Sequence, residues 1–174
     1  VGVVDGDLGL AFGDMRSAER TFQLLSQVTG RAGRAGGASR ALVQTYDPEH
    51  PVIAAIVSGE REAFYAREIE ARRAAQLPPF GRLAALVVSG PDRASAQTHA
   101  QALRRAAAPD PLIMVLGPAE APLAVVRGRH RFRLLVHAAR NADVQAYIRA
   151  WLAALPPPKS NVRVQIDIDP QSFL

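Results

Sequence analysis

Val162-Arg163-Val164-Gln165-Ile166-Asp167-Ile168-Asp169 alternates apolar and polar residues without a break. A period of two belongs to a strand with one face on a core, so Val162, Val164, Ile166 and Ile168 are expected inward and Arg163, Gln165, Asp167 and Asp169 outward. Working back along the chain, Val144, Ile148, Trp151, Leu152 and Leu155 form a helical stripe that ends at Pro156-Pro157-Pro158. Before it, His130 to His137 (HRFRLLVH) reads as a strand, and so does Pro111 to Gly117 (PLIMVLG), with Pro122 to Val126 as its continuation. Ala96, Ala100, Leu103 and Ala107 mark another helix, for which Asp92 is placed to cap the first turn, and Arg82 to Ser89 (RLAALVVS) is an apolar strand ahead of it. The order is βαββαβ, which predicts a ferredoxin-like α+β domain over residues 81–174: an antiparallel sheet with two helices on one face.

The first 46 residues follow a different rule. Val1-Gly2-Val3-Val4-Asp5 is an apolar run, Arg16 to Val28 has helical spacing, and Ser39 to Tyr46 is strand-like after Gly36-Gly37. This βαβ pattern predicts a parallel pair with its crossover helix on one face. Two strands and one helix bury little by themselves, and the chain opens on an apolar strand without Met, so a segment of something longer is expected. Residues 47–80 read as a connector, with turns at Asp47-Pro48 and His50-Pro51 and then a charged helix stopped by Pro78-Pro79. Glu68 and Arg72 stand four apart in the favourable order, which predicts a solvated outer face.

Composition narrows the partners. The 174 residues hold 21 Lys+Arg against 16 Asp+Glu, a formal net charge of +5, and Lys159 is the only lysine. Guanidinium forks match phosphate and carboxylate oxygens, so a polyanionic partner is favoured. With no cysteine there is neither a disulfide nor a thiolate metal site, and His50, His99, His130 and His137 lack metal-ligand spacing. No apolar run is long enough for a spanning helix, so a soluble intracellular protein with no membrane partner is expected.

Two motifs carry chemistry. In Gln27-Val28-Thr29-Gly30-Arg31-Ala32-Gly33-Arg34, the arginines project from one side if the helical turn continues through the glycines. Paired guanidiniums suit a triphosphate, although a glycine-rich helix end with two solvated arginines fits the spacing equally. The second motif is Arg127-Gly128-Arg129-His130-Arg131-Phe132-Arg133. In a strand Arg129, Arg131 and Arg133 share one face at about 6.6–6.8 Å intervals, and Phe132, Leu134 and Val136 share the other. Arg127 joins the first set if Gly128 does not turn the chain. The stripe suits successive phosphates of a single strand, with His130 as a stacking or hydrogen-bonding accessory. A hairpin edge guarded by charge against aggregation is the other reading. Trp151 and Phe132 are expected in the core, and Met15 and Met114 as gap-fillers.

Gln27 to Arg34 resembles motif VI of superfamily 2 helicases, Q-x-x-G-R-x-G-R. Its flanks resemble one family, the PriA-type primosomal replication-restart helicases. They include Ala18-Glu19-Arg20, Gln44-Thr45-Tyr46-Asp47-Pro48-Glu49-His50-Pro51, Glu70-Ala71-Arg72-Arg73 and Leu77-Pro78-Pro79-Phe80, followed by Leu116-Gly117-Pro118, Arg127 to Phe132 and Ile166-Asp167-Ile168-Asp169-Pro170. The resemblance implies the last part of an ATP-dependent 3′ to 5′ DNA helicase that recognises stalled or abandoned forks and initiates primosome assembly in the bacterial cytoplasm. Residues 1–46 would then be the end of the second RecA-like lobe, residues 47–80 a linker and residues 81–174 the C-terminal domain.

The resemblance further implies that Arg31 and Arg34 are arginine fingers on the nucleotide, with Gln27 and Gly30 beside it, while Asp5 and Asp7 are as suited to making turns as to function. ATP with Mg²⁺ and a zinc in a cysteine-rich insertion would belong to the parent protein, and no cofactor is expected here. Implied partners are branched and single-stranded DNA, the acidic tail of single-stranded DNA-binding protein, and primosome proteins. The exposed lobe strand invites self-association. Because the G-K-[ST] loop and the acidic Mg²⁺ motif are absent from these residues, the chain alone is expected not to hydrolyse ATP. The competing readings are a non-enzymatic nucleic-acid-binding module and a scaffold for acidic protein tails.

Overall fold

The computed structural model describes residues 1–10, 14–32, 40–158 and 161–171. The fold is mixed α/β with one parallel and one antiparallel sheet. The chain divides into two units, Val1–Glu70 and Ala71–Leu174.

In the first unit, β1 (Gly2–Val3) pairs in parallel with β2 (Leu42–Val43), and α1 (Ser17–Ala32) lies between them in the chain. This is the expected βαβ order. Helix α1 starts where the Asp14 carbonyl accepts from Ser17 N at 2.9 Å, and the Asp14 carboxylate holds Arg20 at 3.1 Å. Phe22 and Leu25, three apart on one face, are buried, whereas Gln23 and Leu24 are exposed.

The turn expected at His50-Pro51 instead opens α2 (Pro51–Ser58). Pro51 occupies the first turn, where no N–H is needed, and His50 Nδ1 accepts from Val52 N at 3.2 Å. Gly59, at φ +74°, ends the helix. Val52, Ile53 and Ala55 pack with Phe22 and Leu25, and the Phe22 ring stacks on Phe64 of α3 (Arg61–Ala74) at 4.3 Å. The short apolar run Val52–Val57 thus supplies much of the core that two strands and one helix lack.

The second unit is a four-stranded antiparallel sheet in the order β4-β5-β3-β6, built from β3 (Gly81–Gly90), β4 (Ile113–Val126), β5 (Arg129–Ala139) and β6 (Arg163–Ile168). Helices α4 (Arg93–Ala106) and α5 (Val144–Ala153) intervene, so the chain order is βαββαβ. Asp92 caps α4 by accepting from Ser95 N at 2.7 Å, and Asp143 caps α5 by accepting from Ala146 N at 2.9 Å.

Ala84, Leu86 and Val88 of β3 and Phe132, Leu134 and Val136 of β5 share a core with Ala96, Ala100 and Leu103 of α4 and Val144, Ile148 and Trp151 of α5. Both helices therefore cover the same face of the sheet. Trp151 Nε1 donates to the Leu103 carbonyl at 2.9 Å inside this core.

Three expectations need correction. Ile166, expected inward, is 44% exposed: β6 is an edge strand, and the core takes in Val162, Val164 and Ile168 of this stretch but not Ile166. Met114, expected as a gap-filler, is 51% exposed on the opposite edge strand. Arg72, expected on a solvated face, is buried, with Nη1 donating to the Pro78 carbonyl at 3.4 Å.

Candidate nucleic-acid interface

The arginine strand is β5, an interior strand between β4 and β3, and its register decides what the arginines meet. Phe132, Leu134, Val136 and Ala138 point into the core, so Arg129, Arg131 and Arg133 fall on the face away from the helices, as the alternation requires. Across the sheet Ser89 stands opposite both Arg131 and Arg163, and Val87 stands opposite both Arg133 and Gln165. Residues directly opposite in an antiparallel ladder share a face, so Arg131, Ser89 and Arg163 form a row across three strands.

Gly128 does turn the chain. Arg127 (φ +50°) and Gly128 (φ +71°) are the two central residues of the β4–β5 hairpin, closed by Val126 opposite Arg129. Positive φ at both positions is the geometry in which a two-residue loop matches the twist of its strands. Arg127 nevertheless lines the same concavity as Arg129, Arg131 and Arg163, together with Ser89, Val126 and Gln165. Its volume is about 310 Å³.

Among the described residues no carboxylate pairs with Arg127, Arg129, Arg131 or Arg163. Arg129 Nη2 donates to the carbonyls of Ser89 and Asn161, both at 2.8 Å, and Nε reaches Ser89 Oγ at 3.4 Å. Arg131 Nη1 donates to the Leu123 carbonyl at 3.4 Å. These acceptors are neutral, and among the described residues no carboxylate lines the concavity. Arg133, although on the same face, does not line it. His130 stands opposite Gly90, on the face of Phe132, and its proximity to Asp92 contributes to holding that carboxyl below its ordinary value. Most of that lowering comes from the two hydrogen bonds Asp92 accepts from Ser95. His130 is therefore not an accessory to the arginines.

Arg163, Ser89 and Gln165 were not singled out by sequence reasoning. Part of the signal was available: βαββαβ connectivity puts the last strand, with its outward Arg163, beside the first, but it is the register that brings Arg163 level with Ser89 and Arg131.

In the first unit, Gln27, Gly30 and Arg31 are exposed on α1, and the helix continues through Gly30 as far as Ala32. Gln27 and Arg31 are one turn apart and share a side of the helix. A Cβ added at Gly30 would meet nothing within 4 Å. Thr29 Oγ1 donates back along the helix to the Leu25 carbonyl at 2.8 Å. Gly33 and Arg34 lie outside the described residues.

Asp5 makes a turn, and Asp7 makes a bridge between segments. Asp5 Oδ1 accepts from Asp7 N at 2.9 Å and Leu8 N at 3.0 Å. Asp7 reaches across to the end of β2, accepting from Thr45 Oγ1 at 2.6 Å and Tyr46 N at 2.7 Å. The Thr45 hydroxyl, then the Tyr46 N–H, hold the Asp7 carboxyl below its ordinary value.

Among the described residues no group of three or more His, Asp or Glu side chains could hold a metal ion. No helix among them is long and apolar enough to cross a membrane.

Residues 73–171 match the family model described as "Primosomal protein N C-terminal domain". The chain is 39% identical over 173 residues to the replication restart protein PriA of Rickettsia felis, covering 99% of this chain and 26% of that protein. It is 38% identical over 176 residues to the PriA of Treponema pallidum, covering 100% of this chain and 27% of that protein. Against the PriA of Bacillus subtilis it is 33% identical over 178 residues, which is 22% of that protein. The chain thus spans about a quarter of the length of the curated relatives it matches. With its second unit matched by the family model almost end to end, the chain belongs to the family of the primosomal protein N C-terminal domain.

Proposed function

We propose that this chain is the C-terminal portion of an ATP-dependent 3′ to 5′ DNA helicase that recognises stalled or abandoned replication forks and initiates primosome assembly. The alignment of the chain along its length with proteins named for replication restart supports this reading. Residues 1–46 act as the end of a second RecA-like lobe and residues 47–80 as the connection. Residues 81–174 form a ferredoxin-like DNA-binding domain, a reading supported by the strand order β6-β3-β5-β4, last strand beside first.

Arg31 and Arg34 serve as arginine fingers on ATP and Mg²⁺ held by other parts of the parent protein, with Gln27 and Gly30 beside them, and zinc belongs to a cysteine-rich insertion of that parent. Single-stranded DNA-binding protein and primosome proteins are its partners, in the cytoplasm.

The observation that carries DNA binding by this chain is the concavity lined by Arg127, Arg129, Arg131 and Arg163, with no carboxylate among its described lining residues. Each phosphate neutralised releases counterions, so affinity falls with salt in proportion to the contacts made. Replacing Arg129 and Arg131 by Ala should weaken forked-DNA binding and flatten the plot of log affinity against log salt by about 1.4–1.8, the equivalent of two contacts. Unchanged affinity and slope in fluorescence-anisotropy titrations would sink this reading.

A further inference from the structure

We propose that the concavity is a receptor for a phosphomonoester at a nucleic-acid strand end, such as a 5′-phosphate, rather than a stretch of a continuous phosphate track. This rests on the nucleic-acid reading above and sharpens it.

The basic surface is short. Along β5 the row of Arg131, Ser89 and Arg163 is followed by Arg133, Val87 and Gln165, and then by Leu135, Ala85 and Asp167. Same-face rows are about 6.6–6.8 Å apart, so a backbone running along the strands reaches an apolar residue and a carboxylate within two steps. At the other end lies the Arg127–Gly128 turn, where β4 and β5 stop. Beyond the arginines on the side of β4, the same face carries Leu116, opposite Leu135, and Met114, both exposed and apolar. A polyanion passing through would gain little on either side.

The lining is that of an anion receptor and not of a base-binding platform. Among the described residues no aromatic side chain lines it and offers a base a stacking platform, whereas single-strand tracks pair a basic groove with aromatic platforms. Four guanidiniums share a volume of about 310 Å³, and two of them are aimed by neutral carbonyls. Arg127 and Arg163 have no side-chain hydrogen-bond or ion-pair partner among the described residues. A phosphodiester offers one negative charge and two free oxygens, but a terminal monoester offers nearly two charges and three oxygens. Only the monoester matches this density of planar donors.

The test compares the 174-residue chain on two oligonucleotides of one sequence, bearing a 5′-phosphate or a 5′-hydroxyl, by competition anisotropy. The phosphorylated strand should bind about ten-fold more tightly, the worth of one charge-assisted contact. Arg163→Gln should remove that preference, and Arg105→Gln, on exposed α4 away from the concavity, should keep it.

Equal binding of both strands by the unaltered chain would overturn the inference. In that case, if Arg129→Ala with Arg131→Ala still weakened both strands, the broader nucleic-acid reading would survive; if it changed neither, that reading would fall too. Loss of the preference in the presence of an equimolar concentration of inorganic phosphate would mark the ligand as a free anion and would also overturn it.

Discussion

Arg127 occupies a position that its side chain does not favour. A φ of +50° costs an arginine energy that Asn or Gly largely avoids, which is why Asn-Gly is the preferred pair in such hairpins. Arg127→Asn should therefore stabilise the second unit, by about 0.5–1 kcal/mol in chemical denaturation, while weakening binding to DNA. A stabilised variant with undiminished affinity would show that the charge at Arg127 has no part in binding. Strain kept at a charged turn beside three other arginines is what a binding site produces, and edge protection alone has no need of it.

Asp7 makes a second prediction at this scale, through pH. Its carboxyl is lowered because the ionised form accepts from Thr45 and Tyr46. A group with a depressed folded pKa contributes stability above its unfolded value, here near 3.8, and loses it as the pH falls through the folded value. Asp7→Asn should thus be less stable than the unaltered chain at neutral pH, and the two should converge in acid below pH 3.8. Urea midpoints measured from pH 7 downward check this, and a gap that stays constant into acid would refute it.

Among the elements, α5 is tied to α4 inside an apolar core by Trp151 Nε1, which donates to the Leu103 carbonyl. Trp151→Phe should cost about 1–3 kcal/mol, combining the lost hydrogen bond and the smaller ring, and should leave the sheet's register intact. Denaturation of the variant beside the unaltered chain reads the first part, and amide chemical shifts of β3 and β5 the second.

The strands and helices of the second unit were legible in the sequence because each carries its own period: two in Val162–Asp169, 3.6 in Val144–Leu155. Helix α2 was not, because Val52–Val57 is apolar on every side and so has no period, and its Pro-flanked start imitates a turn. The arginine stripe was legible as alternation along one strand. The concavity was not, since it joins Ser89, Arg131 and Arg163 from three strands separated by dozens of residues, and only their register brings them level. Ile166 shows the same limit from the other side: alternation gives its face but cannot tell that β6 lies at an edge.

Over the whole molecule the formal charge of +5 conceals a division. Val1–Glu70 holds 7 Arg against 10 Asp+Glu, a net −3, whereas Ala71–Leu174 holds 14 Lys+Arg against 6 Asp+Glu, a net +8. An overall balance that looks mildly basic is thus an acidic unit and a strongly basic one. The basic unit contains all four strands of the antiparallel sheet, α4, α5 and the entire core that joins them. Such a unit has what it needs to fold alone, at a size where single cores are sufficient.

Residues 71–174 expressed separately should therefore unfold cooperatively and bind forked DNA with an affinity at least equal to that of the 174-residue chain. The salt dependence should keep the same slope, because the phosphates are met by the same arginines. Residues 1–70, with their net negative charge, should not bind DNA detectably under the same conditions. Anisotropy titrations of the three chains across a range of salt concentrations decide between this division and its opposite. Binding that disappears from residues 71–174, or a slope that falls by half, would mean that the DNA contacts extend into the acidic unit and that net charge is a poor guide to where they lie.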